Sequence, residues 1–316
     1  MRQMLGLLLA FFVVGPVLAE GRGPAVRDYP AVKVADGAYV IQGPLGHPSV
    51  ENQGFMNNPG FIVGKDGVVV IDPGSSVQSG EMVMRQIRKV TDLPVVALID
   101  THVHGDHWLA NHAFHQINPK IPTYGHPKMI EKVEQGEGDS WIALLKRLTE
   151  GATDGTGIYA PNLAVRHGDE VELAGIKFQF LYGEKAHSDT DLMVFIPEKS
   201  LMFLGDNVMN NRFGRMDNGT FKGNIAAIEM AMASGATVFV PGHGPTGDIA
   251  VPQAFQRYLS ILREEVAKYL DEGLSDFEMK PKVVEALAEF KDWVDFNAEV
   301  GRHISVAYLE VEAEMF

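Results

Sequence analysis

Val95-Val96-Ala97-Leu98-Ile99-Asp100-Thr101-His102-Val103-His104-Gly105-Asp106-His107-Trp108 is the stretch that decides the fold. Residues 95–99 are an unbroken apolar run, the pattern of a strand buried on both faces. Directly behind it stand His102, His104, Asp106 and His107, four possible metal ligands within six residues. His102 and His104 are two apart, so in an extended chain both imidazoles leave one face and can meet a single ion. Gly105 permits a sharp change of direction that brings Asp106 and His107 to the same pocket from the start of a helix. Packing alone gives a soluble core no reason to concentrate these groups. Neutral imidazole and carboxylate suit Zn²⁺ first, with iron or manganese as competitors.

Working outward, the chain of 316 residues is 46% hydrophobic, enough for a substantial core. Lys and Arg number 27 against 41 Asp and Glu, a net charge of −14, and no basic run could follow a phosphate backbone. Nucleic acid is therefore excluded as a partner, and a small-molecule substrate is expected. There is no cysteine. Disulfides, thiolate-bound zinc, iron–sulfur clusters and thiol nucleophiles are ruled out, which leaves the chemistry to His and carboxylate. Met1 to Glu20 has the layout of a signal peptide: Arg2, the apolar run Leu5 to Val14, and a small-residue end that places cleavage after Ala19. The run is short for a membrane anchor, and no later segment approaches about 18 uncharged residues. The expected protein is exported and periplasmic, with no membrane attachment after cleavage; its oligomeric state is left open.

The rest of the chain alternates short strands with helices in two passes. The first has a hairpin at Phe61 to Val63 and Val68 to Ile71, a helix at Val77 to Val90, and the strand Val95 to Ile99. The second has strands at Val171 to Leu173, Ile176 to Tyr182, Leu192 to Ile196 and Leu201 to Leu204, a helix at Ile225 to Ala233, and a strand at Thr237 to Val240. Between the passes, Glu134 to Asp139 and Gly151 to Pro161 read as surface loops around the amphipathic piece Trp141 to Leu148, with a cover over a site as the functional alternative. Further on, a long helix carries Phe255 to Leu270, and Pro281 suits the first turn of another helix running to about Trp293. The organisation expected is a signal peptide over 1–19, one domain over 30–250 and a helical extension over 251–316.

Three further polar residues each follow an apolar strand: His187 in Ala186-His187-Ser188, Asp206 after Leu201 to Gly205, and His243 in Pro241-Gly242-His243-Gly244. Open α/β sheets gather sites at the carboxyl ends of several strands in this way. Taken singly, His187 or His243 reads equally well as an ordinary turn residue, and Asp206 as a cap. The other histidines (His112, His115, His126, His167 and His303) read as surface or supporting residues. His47, in Gly43-Pro44-Leu45-Gly46-His47-Pro48, is the one placed beside a pocket.

His-x-His-x-Asp-His at 102–107, the lone His187, Gly205-Asp206 and Pro241-Gly242-His243-Gly244, in this order, resemble the metallo-β-lactamase superfamily from about residue 40 to 250. The resemblance implies an α/β fold, the four-layer αββα sandwich, with two Zn²⁺ at one edge. It implies that His102, His104 and His187 hold one ion, that Asp106, His107 and His243 hold the other, and that Asp206 bridges them. Two such ions can share a water and lower its pKa enough to give a hydroxide at neutral pH. No side-chain nucleophile is then needed, in keeping with the lack of cysteine and of a Gly-x-Ser-x-Gly elbow. Asp106 would orient the hydroxide and carry its proton to the leaving group.

The absence of cysteine sets aside the β-lactamases with a thiolate ligand, and a carboxylate at Asp206 is similar to the glyoxalase II and lactonase branches. The stretches at 210–215 and 306–312 resemble the exported SoxH-type, glyoxalase II-like proteins, which implies a thioester or thiol conjugate as substrate. Arg212 and Arg215 are then candidates to hold a substrate carboxylate, with solvated loop charges as the plainer reading. A β-lactam or lactone is the alternative substrate. An iron-dependent persulfide dioxygenase is the alternative of another class.

Overall fold

The structure is a computed structural model that describes residues 21–315, so the expected signal sequence lies outside the described residues. Seven strands form the first sheet in chain order: β1 (Ala31–Ala35), β2 (Ala38–Ile41), β3 (Gly60–Val63), β4 (Val68–Ile71), β5 (Val95–Ile99), β6 (Thr123–Gly125) and β7 (Leu163–Ala164). Pairing is antiparallel from β1 to β4 and parallel from β4 to β7. The second sheet is built from β8 (Glu170–Leu173), β9 (Ile176–Tyr182), β10 (Leu192–Ile196), β11 (Leu201–Phe203) and β12 (Val238–Val240), in the order β12-β11-β10-β9-β8. Only β11 and β12 pair in parallel there.

Strand alternation explains the layering. On β4, Val69 and Ile71 face inward with Ile99 against Phe178, Phe180, Val194 and Phe203 of the second sheet. Val68 and Val70 face outward, against Val83 and Ile87 of α1 (Val77–Val90) and Phe114 of α3 (Asn111–Ile117). Because both faces are covered, all four residues of β4 are fully buried, which is why β4 and β5 read as continuous apolar runs. On the outer face of the second sheet, Met193, Met202 and Phe239 pack with Ile228 of α6 (Phe221–Ala233) and with Phe255 and Leu259 of α7 (Ala250–Asp271). Helices, sheet, sheet and helices follow one another, as the sandwich requires. The remaining helices, α8 (Asp276–Ala286) and α9 (Phe296–Glu314), share that cluster through Val283 and Ile304 and so thicken the outer helical layer.

Most expected elements stand where their patterns put them, α1 and β5 to the residue. Four departures have local causes. Helix α6 starts at Phe221 and not Ile225, because the Thr220 hydroxyl accepts from Gly223 N and caps a first turn too polar to show in the apolar period. A short helix, α4 (Pro127–Glu134), has Pro at its first position and His126 as its cap; eight residues gave too little periodicity to read. The expected loop at 134–139 shrinks to a two-residue turn between the end of α4 and α5 (Glu137–Leu148), which begins behind left-handed Gly136. Pro281 is inside α8 and not in its first turn, and that helix ends at Ala286, well short of Trp293. The start is set instead by a capping box between Ser275 and Glu278, and Pro281 lies on the exposed side.

Candidate metal centre

Every residue of the candidate centre leaves the end of a strand or the turn after it. Beyond β5 the chain bends at 102–103 and enters the short helix α2 (Gly105–Trp108). The His102 and His104 rings meet with centroids 4.7 Å apart, although the bend replaces the extended chain expected there. Gly105 also has a different reason from the one read in the sequence. Its backbone is ordinary, but a Cβ would lie 2.6 Å from that of Trp141, so glycine is needed for the close packing of α5 on the ligand turn. His187 is in the loop between β9 and β10, Asp206 in the turn after β11, and His243 just past β12. Gly242 allows that last approach, since a Cβ there would lie 2.0 Å from Asp206 Oδ1.

The seven residues fall into two groups, His102, His104, His187 with Asp206, and Asp106, His107 with His243. In the first, His187 Nε2 is 3.0 Å from His104 Nδ1, and Asp206 Oδ2 is 3.6 Å from His187 Nε2 and 3.9 Å from His102 Nε2. In the second, His107 Nε2 and His243 Nε2 are 3.3 Å apart, and Asp106 Oδ2 is 3.5 and 3.2 Å from them. Asp206 Oδ1 turns to this second group, 3.2 Å from His107 Nε2 and 3.3 Å from His243 Nε2. One carboxylate thus presents an oxygen to each group.

The outer hydrogen bonds set the tautomers, and these decide whether a cation fits. The Thr101 hydroxyl donates to Asp72 Oδ2 at 2.7 Å, so it accepts from His102 Nδ1 at 3.0 Å. His107 Nδ1 donates to Asp72 Oδ2 at 2.9 Å, and His243 Nδ1 to the Met56 carbonyl at 2.9 Å. All three Nε2 atoms then face inward among carboxylate oxygens, where a proton or a metal ion can be held, and buried His102 Nε2 has no hydrogen-bond partner. Such a convergence repels itself unless cations stand between the atoms. The donor set therefore fits divalent ions.

Burial pushes His102 well below the usual imidazole range, lowers His104 and takes His187 to about 3, so the imidazoles of the first group are neutral and ready to ligate. Burial likewise acts to lower His107 and His243, but the Asp206 and Asp106 carboxylates raise both in the metal-free chain. Burial raises Asp106, yet the imidazoles of His107 and His243 outweigh it and hold the carboxyl at about 2. A proton and a metal ion answer the same negative charge here.

Five of the seven residues, all but His102 and His107, line a cleft of about 680 Å³ that also holds His47, Trp141, Arg212, Arg215 and Glu299. A second groove, about 650 Å³ between α1 and α3, contains none of the seven residues. The two arginines differ. Arg212 is only 3% exposed, donates to the Gly46 carbonyl at 3.1 Å and has its Nη1 3.0 Å from His243 Nδ1, so it is no solvated loop charge. Arg215 is exposed and paired with Asp217. His47 does stand at the cleft, its Nε2 3.4 Å from Glu299 Oε1 and 3.6 Å from Asp295 Oδ2. Three of the other histidines are buried and so are not surface residues. His303 is buried between the Tyr258 hydroxyl (2.7 Å) and the Gly214 carbonyl (2.9 Å), His126 is buried and stacked on Tyr182, and His115 is buried beside Tyr159. The stretch Gly151 to Pro161 contributes nothing to the cleft; its neighbour α5 forms the wall.

Asp72 was not anticipated. Besides Thr101 Oγ1 and His107, it accepts from Thr101 N at 2.8 Å, from a left-handed backbone (φ 49°) at 4% exposure. Its signal was available, for it ends the apolar strand 68–71 just as Asp206 follows 201–204. Asn58 was also missed; its side chain donates to the Pro241 and Gly244 carbonyls and holds the His243 turn. Asp191, raised to about 7 by burial against hydrogen bonds from Ser188, organises the turn behind His187.

A profile described as the Metallo-beta-lactamase superfamily matches residues 52–243, a span that holds Asp72 and all seven residues of the two groups. The chain belongs to the metallo-β-lactamase superfamily. Among relatives, a linear primary-alkylsulfatase from Pseudomonas sp. (strain ATCC 19151) is 22% identical over 264 residues, covering 71% of this chain and 49% of the relative. The chain thus spans about half the length of that enzyme. The metallo-β-lactamase IND-1 of Chryseobacterium indologenes is 26% identical over 248 residues, 74% of this chain and 90% of IND-1. Among solved structures, the inverting sec-alkylsulfatase Pisa1 from Pseudomonas sp. superposes with a TM-score of 0.72 at 14% identity, over 89% of this chain and 50% of its own. A metallo-β-lactamase from Pontibacter korlensis gives 0.58 at 18% identity, over 73% and 98%. Both likenesses show the sandwich. The chain therefore carries this superfamily's sandwich together with two candidate His/Asp metal clusters. No helix among the described residues is long and apolar enough to cross a membrane.

Proposed function

We propose that this superfamily member is an exported, periplasmic binuclear zinc hydrolase that cleaves a thioester or related thiol conjugate. The observation that carries the reading is the pair of inward-facing His/Asp clusters with Asp206 presenting one oxygen to each, on the wall of an open cleft. His102, His104 and His187 would hold one ion and Asp106, His107 and His243 the other, with Asp206 between them. When bound, the two ions supply a hydroxide at neutral pH and polarise a carbonyl oxygen. Asp106, ionised by its imidazole neighbours, accepts a hydrogen bond from the attacking water and passes the proton to the leaving group. Asp72 holds His107 in the tautomer that frees Nε2. Arg212, buried against His243 Nδ1 and the Gly46 carbonyl, adds positive charge behind the second group. Arg215, shared with Asp217, reaches a substrate carboxylate only by releasing that partner, and His47 borders the mouth.

A β-lactam or lactone would meet the same hydroxide. Sulfate-ester cleavage is a second reading, favoured by the sequence likeness to the linear primary-alkylsulfatase. Metal analysis of the purified mature protein, followed by a panel of thioesters, lactones, β-lactams and alkyl sulfates, separates these. Two zinc ions per chain with thioesters turned over fastest is the expected result. One tightly held iron with no hydrolysis across the panel would overturn it in favour of an iron-dependent oxidative enzyme. Export has its own check: in a bacterial host the full chain should appear in the periplasmic fraction with Glu20 as its first residue, and a cytoplasmic product starting at Met1 would refute that part.

A further inference from the structure

Helix α5 forms one long wall of the cleft. Trp141, Leu144, Arg147 and Leu148 all line it, a spacing that puts them on one helix face. The first of them touches the centre, since the Trp141 ring is 5.2 Å from that of His104 and its Cβ would meet any side chain at Gly105. Arg147 is six residues farther, about 9 Å along the axis, and helical side chains lean back toward the N-terminus. Leu144 and Leu148 lie beside the path between them. Arg147 also differs from its charged neighbours. Lys146 is paired with Asp154 at 3.1 Å, Arg215 with Asp217, and Arg212 donates to Gly46. Arg147 is exposed to the cleft and has no ion pair or hydrogen bond among the described residues. In a chain of net charge −14, such an unpaired local cation favours the approach of an anionic ligand.

We infer that Arg147 is a specificity-determining residue that binds a carboxylate or similar anion at the far end of a substrate whose apolar middle lies along Trp141, Leu144 and Leu148. The substrate class is then an ω-anionic thiol conjugate or thioester, amphipathic, with its reacting bond and its charge about two helical turns apart or less. This rests on the hydrolase reading above and narrows it.

The test is calorimetric binding of thiols, as analogues of the leaving group, to the zinc-loaded full-length mature protein and to Arg147→Gln. Mercaptohexanoate should bind the wild type about tenfold more tightly than mercaptoacetate, whose carboxylate is too close, and than neutral hexanethiol, a preference on the scale of one charge-assisted pair. Arg147→Gln should lose that preference while keeping the affinities for mercaptoacetate and hexanethiol, and Arg147→Lys should restore part of it. Equal mercaptohexanoate affinity in wild type and Arg147→Gln would overturn the inference and leave the metal-centred reading standing. Failure of every thiol to bind the zinc-loaded wild type would overturn that reading, and the inference with it.

Discussion

Asp206→Ala is expected to empty both halves of the centre together and to abolish hydrolysis. Its two oxygens are divided between the groups, Oδ2 toward His102 and His187, Oδ1 toward His107 and His243. No other carboxylate replaces it, because Asp106 Oδ2 faces only the second group. Removing the shared ligand also leaves the imidazole lone pairs of each cluster with less negative charge to balance a divalent ion. Metal content by mass spectrometry should fall from about two ions per chain to below one, with the loss shared between the groups, and turnover should drop by at least about three orders of magnitude. Unchanged metal content in the variant would refute the bridging role. His187→Ala is the informative contrast, since it should weaken the first group and leave most of the second.

Asp72→Ala should have the second largest effect, on both stability and metal affinity, although Asp72 is assigned to neither group. The carboxylate accepts from Thr101 N, Thr101 Oγ1 and His107 Nδ1, all buried. Each donor left without a partner costs about 1–3 kcal/mol, so a loss of roughly 3 kcal/mol or more is expected, about 10 °C or so in Tm for a domain of this size. The freed His107 ring can also take the other tautomer, and loss of such an orienting partner typically costs 10–100-fold in metal affinity. Asp72→Asn keeps part of the acceptor set and should recover more of the stability than of the affinity. A thermal melt and a zinc titration on the same preparations read the two separately. Wild-type affinity in Asp72→Ala would show that packing alone holds His107 in place.

The contrast between Asp72 and Asp206 shows where a single sequence stops being legible. Both aspartates follow apolar strands. Asp206 was readable because it stood in sequence order with His102 to His107, His187 and His243, whereas Asp72 had no partner within reach along the chain. Its contacts with Thr101 and His107 join residues about thirty positions apart, and they exist only because β4 and β5 lie side by side. Helices with strong periodicity or long runs were readable to the residue or nearly so, as in α1. Those started by a cap and not by an apolar stripe were missed or misplaced, as at Thr220 for α6 and at Ser275 for α8.

Residue types and their order determined the class of chemistry. A chain without cysteine, with three imidazoles and a carboxylate packed into 102–107 and three more such residues each behind an apolar strand, can build a His/Asp metal centre and little else. Two passes of alternating strands and helices pointed to two sheets with helices outside, and the motif resemblance supplied the four-layer sandwich. Tertiary structure alone decided which oxygen of Asp206 faces which group, which imidazole nitrogen is free, that Arg212 is buried while Arg215 is paired, and that α5 walls the cleft with Arg147 at its far end. The physical reason is range. Composition and period act through neighbours along the chain, whereas tautomer, burial and charge pairing depend on atoms that only the packing of two sheets and their helices brings within a few ångströms.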